Sequence, residues 1–168
     1  MQGATLNMNI RSVRSRSTLA LLATVLCSSA LLSGPAQAAL GGSIDTVTGD
    51  TSALRGQLRS TGFVAYDMHQ ISSGELVVNE YATRSGQVFA ITWHGPAPPN
   101  LQLLLGAYFE RFRSAAAAAH QANPGIHRVF TLTQPDLVIR SAGRLRAFGG
   151  MAYLPALVPA GVSVDQLQ

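Results

Sequence analysis

The sequence has no lysine, a single cysteine and a single tryptophan, and only 12% of its 168 residues are charged. Each scarcity closes off a class of function. All 12 basic residues are arginine, and three of them (Arg11, Arg14 and Arg16) cluster near the N-terminus. The nine that remain face eight acids, so the rest of the chain is near +1. A basic stripe that could follow a nucleic-acid backbone is not encoded, and no nucleic-acid partner is expected. Cys27 falls inside the same N-terminal segment. Once that segment is removed, the chain can form no disulfide, thiolate zinc site or cysteine nucleophile. Beyond it, no apolar run approaches the ~20 residues that span a bilayer, so no membrane span is expected there.

The N-terminal segment has the anatomy of an export signal. The three arginines form a basic n-region, and Thr18 to Leu32 is mostly apolar but short for a membrane span. Gly34 and Pro35 break the run, and Ala36-Gln37-Ala38 is the small-x-small pattern that signal peptidase accepts. The expectation is a signal peptide over residues 1–38, cleaved between Ala38 and Ala39, and a periplasmic or secreted product. An uncleaved anchor is the competing reading. Lipidation at Cys27 is disfavoured because Leu26 precedes it where a small residue is wanted. Met8 competes with Met1 as the start, since the residues before it add nothing to the signal.

Residues 39–62 are rich in Gly, Ser and Thr with little periodicity, and read as a flexible lead-in with a short ordered contact near Leu54 and Leu58. Residues 63–154 read as one domain. Phe63 to Ile71 alternates, with Val64, Tyr66 and Met68 opposite Asp67 and His69; Glu75 to Thr83 alternates as well. Gly86 suits the positive φ of a tight hairpin. Gln87 to Trp93 is apolar on both faces, with Phe89, Ile91 and Trp93 opposite Val88 and Ala90, which places it centrally in a sheet. His94 to Pro99 is a Gly/Pro corner, and Asn100 is a good N-cap. Leu101, Leu104, Leu105, Tyr108, Phe109 and Phe112 then form one apolar helical face. Asn123-Pro124-Gly125 stops that helix. Strands follow over His127–Thr133, Leu137–Ser141 and Leu145–Tyr153, and residues 155–168 read as an extended tail. The fold class is α+β: a mainly antiparallel sheet of about six strands with one principal amphipathic helix on one face.

Few constellations point to chemistry. His69, His94, His120 and His127 make no metal-binding spacing, so no metal and no cofactor are expected. There is no G-x-S-x-G, and no serine is placed by sequence beside Asp67 and His69 to complete a triad. Carboxylate pairs could be drawn from Glu75, Glu80 and Asp136, as from any chain with eight acids, so no catalytic residue is assigned. Two surfaces stand out. Trp93 and His94 sit at a strand end beside Gly95 and Pro96, although packing alone accounts for the tryptophan. Arg140, Arg144 and Arg146 share an outer face if Ser141–Gly143 is a hairpin loop that sets Ile139 against Leu145. Such a cluster either spreads into water or meets an anion.

The stretches GQVFAITWHGP, LQLLLGAYF and DLVIRSAGRLRAFGGMAYLP, with ALGG after the cleavage site, Glu80-Tyr81 and the ending PAGVSVDQLQ, resemble a family of exported proteobacterial proteins designated domain of unknown function 2844. The resemblance implies export and a single domain, and it carries no activity, cofactor or catalytic residue. Together these readings favour a non-catalytic periplasmic or secreted module that binds another protein or an envelope component. The alternative is a small hydrolase or small-ligand-binding enzyme using the Trp93–His94 corner.

Overall fold

The computed structural model describes residues 40–122 and 129–167. Seven strands form one sheet: β1 (Gln57–Gly62), β2 (Tyr66–Ser73), β3 (Leu76–Thr83), β4 (Val88–Gly95), β5 (Val129–Gln134), β6 (Leu137–Arg144) and β7 (Ala147–Tyr153). Their spatial order is β1-β2-β3-β4-β7-β6-β5, every pairing antiparallel. The doubly apolar β4 is the middle strand. Helices α1 (Val47–Ala53), α2 (Leu101–Leu105) and α3 (Phe109–Ala122) complete the fold.

The strand missing from the sequence reading is β1, and its absence has a physical origin. QLRSTG offers no buried alternation, because β1 is a sheet edge whose residues are almost all exposed. Its hairpin with β2 also moves the start of β2 to Tyr66, leaving Val64 in the turn at 98% exposure. The segment read as a flexible lead-in is thus structured. Leu40 is buried, its N–H donating to Leu104 O at 2.9 Å, and Gly41 N donates to Val88 O at 2.8 Å. The described part of the segment then forms a 3-10 turn, α1 and β1.

One face of the sheet, the helix face, buries Ile71, Val78, Val88, Ile91, Trp93, Leu137, Ile139 and Ala152 against Leu104 and Leu105, with Tyr108, Phe109 and Phe112 partly buried beside them. Asn100 caps as expected, its Oδ1 accepting from Leu103 N at 3.2 Å. The helix does not run through. Gly106 takes φ 51° and ψ −120°, so α2 stops after Leu105 and a 3-10 turn leads into α3. Only a glycine adopts that conformation cheaply. The opposite, tail face buries Tyr81, Phe89, Ala90 and Leu167, with Val158, Val162 and Val164 packed alongside. The C-terminal residues are therefore not an extended surface strand: they make two 3-10 turns over this face. A bulge where β3 meets the start of β4, between Tyr81 and Ala82, moves Phe89 to the tail face, against the simple alternation expected with Ile91 and Trp93.

The last hairpin also differs from expectation. Arg144 pairs with Ala147 and Ile139 with Ala152, so the turn is Leu145-Arg146 and Leu145 is 96% exposed. Arg146, not a glycine, takes the positive φ (60°) of this turn. Gly143 stays within β6, where a Cβ would lie 2.6 Å from Phe148 Cδ1. The glycine makes room for a ring rather than a turn. The stop at Asn123-Pro124-Gly125, His127 and the start of the strand expected there lie outside the described residues.

Candidate functional site

At the end of the sheet where β4 finishes, one register row of the tail face runs Val77, His94, Gly149, Ala142, Val129. Gly149 and Ala142 have almost no side chain, so the row is hollow in the middle. A groove of about 830 Å3 occupies this place, bordered by His94, Arg144, Arg146, Glu75 and Val129. Arg144 and Arg146 form no ion pair among the described residues, whereas Arg84, Arg111, Arg113 and Arg140 each hold an acid. Two free guanidinium forks beside an imidazole suit a carboxylate or phosphate oxygen. Glu75 on the rim also offers an acceptor.

Three of the five residues singled out from sequence, His94, Arg144 and Arg146, therefore meet in one place. The other two do not join them. Trp93 alternates with His94 and turns to the helix face at 3% exposure, lying over Gly150, where a Cβ would be 2.3 Å from Trp93 Cζ2. Arg140 reaches the C-terminal segment instead, donating from Nη1 to Asp165 Oδ1 at 2.9 Å. The neighbouring row carries a polar relay, with Gln70 Nε2 donating to Asn79 Oδ1 at 3.1 Å and Asn79 Nδ2 to Thr92 Oγ1 at 3.3 Å.

A second polar feature lies on the helix face, and sequence reasoning missed it. Asp50 of α1 and Glu80 of β3 are 1% and 0% exposed, and no other group among the described residues hydrogen-bonds their carboxyl oxygens. Burial pushes Asp50 up to about 6. Burial, and then the Asp50 carboxyl beside it, push Glu80 up to about 9. Two adjacent carboxyls out of water cannot both ionise cheaply, so at neutral pH the pair keeps a proton that one oxygen donates to the other. The signal available in sequence was Glu80 sharing a strand face with Val78 and Ala82; nothing marked Asp50 as its partner.

The structure also supplies the serine that sequence could not place, Ser60 Oγ lying 2.8 Å from His69 Nδ1 across the β1–β2 pair. Asp67, on the same face, is held by Arg84 at 2.9 Å rather than orienting the imidazole. Burial lowers the His69 pKa, with Asp67 opposing. Among the described residues, no three His, Cys, Asp or Glu side chains gather as metal ligands, and no helix is long and apolar enough to cross a membrane.

The fold and groove define a small antiparallel α+β protein with a solvent-facing hollow at one end of its sheet. The chain belongs to the family described as "Protein of unknown function (DUF2844)", whose model matches residues 36–167. Searches of curated proteins and of solved structures each gave no match.

Proposed function

We propose that the protein is an exported, non-catalytic binding module that takes an anionic group of another protein or of an envelope component into the groove at the end of its sheet. The observation that carries this reading is the convergence of Arg144 and Arg146, without acid partners among the described residues, on a groove that His94 also borders. An apolar floor of small residues beside a few charged groups is the usual composition of a binding cleft. The enzyme alternative loses its aromatic wall, because Trp93 faces the opposite side of the sheet.

Capture and cross-linking from envelope extracts with the tagged protein should recover a specific ligand. Changing Arg144→Gln and Arg146→Gln together should weaken its binding at least tenfold, since hydrogen bonds to charged groups contribute roughly 1.5–3 kcal/mol each. Ala142→Phe, at an exposed position of the groove, should block binding without loss of stability. Affinity within twofold of the parent for both variants would remove the groove from consideration.

Export rests on the n-region, apolar core and Ala36-Gln37-Ala38 site. It is supported by the contacts just beyond that site, where Leu40 N donates to Leu104 O of α2 and Gly41 N to Val88 O of β4. N-terminal sequencing of the exported protein is expected to begin at Ala39; a start before Leu31 would sink the proposal.

A further inference from the structure

The helix α1 is two turns long, and only two of its residues, Val47 and Asp50, are buried. One of the two side chains it buries is therefore a carboxyl that meets another carboxyl. Among the described residues, no cation pairs with either carboxyl. From β2, Glu80 has His69 as its cross-strand neighbour, with Asp67 two residues on. His69 is turned to Ser60, and Asp67 is held by Arg84. On its other side β4 presents Ile91, which is apolar. From the segment before α1, the only titratable group is Asp45, exposed and bonded to Ser43. Arg55, just after α1, is exposed and forms no ion pair among the described residues. The contact is attractive only while a proton lies between the two carboxyls, and repulsive when both are ionised at a buried site.

We propose that Asp50 and Glu80 form a proton-held latch, closing α1 over the β2–β3 part of the helix face and releasing it when the shared proton is lost, while the rest of the sheet stays folded. The local character follows from the arrangement. Leu54 and Ile44, which flank α1, are only partly buried against the cluster containing Ile71 and Val78. The β4 side of the same face is sealed independently by Leu104 and Leu105. Release would uncover apolar surface at Ile71 and Val78, a part of the molecule distinct from the groove.

Amide hydrogen exchange at pH 6 and pH 9, each scaled to an unstructured reference peptide at the same pH, tests this directly. The reporters are the amides closing α1, Leu54 N to Asp50 O at 2.8 Å and Gly56 N to Thr51 O at 2.9 Å. Their protection should fall at least tenfold between the two pH values and end near that of the reference peptide, while β4 amides, which follow the global stability, stay strongly protected at pH 9; Glu80→Gln should abolish most of the fall. Asp50→Asn provides the same comparison should the first variant fold poorly. Equal protection of the α1 and β4 amides at pH 9, or an unchanged α1 in the parent, would overturn the latch. So would a fall of the same size in a folded variant.

Discussion

Replacing Gly150 with alanine is expected to destabilise the protein by about 3 kcal/mol or more, beyond the usual 1–3 kcal/mol of an overpacked core. The added Cβ would lie 2.3 Å from Trp93 Cζ2 and 2.7 Å from Arg140 O. Neither neighbour can give: one belongs to a rigid indole pinned in the core, the other to the backbone of a paired strand. Gly149, one residue earlier, is the control, because its nearest heavy atom would be Trp93 O at 3.4 Å, an ordinary contact. Gly149→Ala should be close to neutral. Trp93→Ala should cost about 3–5 kcal/mol as a large buried side chain. Combined with Gly150→Ala it should cost less than the two changes added, since the indole is what the new methyl strikes. Denaturant unfolding of the four variants decides it. A Gly150→Ala protein within 1 kcal/mol of the parent would mean that Trp93 does not lie over that glycine.

The same pair of residues shows how far the sequence could be read. Two adjacent glycines in a strand signal a bulge or a close backbone approach, but not that the approaching group is Trp93. The central position of β4 was legible because burial on both faces leaves an unbroken apolar run. Asn100 was legible because capping is local chemistry. What escaped depended on partners distant in the chain. The edge strand β1 carries no inward alternation, since an edge in water selects for none. Gly143 looked like a turn residue, yet its role is set by the ring of Phe148 across the hairpin, and that error moved Leu145 from the core to the tip. At the groove, His94 and the two arginines were each visible, but only the register of β4 on β7 and β7 on β6 brings them together. Asp50 was invisible for the same reason: its meaning lies in Glu80, thirty residues away.

Raising the pH from about 6 to about 9 should lower global stability, with the sign set by the buried carboxyls. Both are raised, Asp50 from an ordinary 3.8 to about 6 and Glu80 from 4.5 to about 9. In the unfolded chain both lose their protons near pH 4, so across this window the folded state holds more protons than the unfolded one. Their stabilising contribution is whole below about pH 4 and is lost progressively until Glu80 has titrated in the fold. Each excess proton makes the slope about 1.4 kcal/mol per pH unit, so the change is several kcal/mol. His69 opposes the pair only on the acid side, because a depressed imidazole costs stability as pH falls below its ordinary 6.5. Asp136, lowered by its hydrogen bond to Arg111, acts below the usual carboxylate range. Between pH 7 and pH 9 the pair therefore stands alone among the shifted groups, since Arg111 is raised from a value already far above that window. Urea midpoints at pH 6, 7.5 and 9 should decline in the parent and stay nearly level in Glu80→Gln, which keeps a donor for the Asp50 carboxylate but has no proton to lose. Every group common to both proteins cancels in the comparison. A parent whose stability rises or stays flat over this range would show that Glu80 reaches water, and that the pair is not sealed beneath α1.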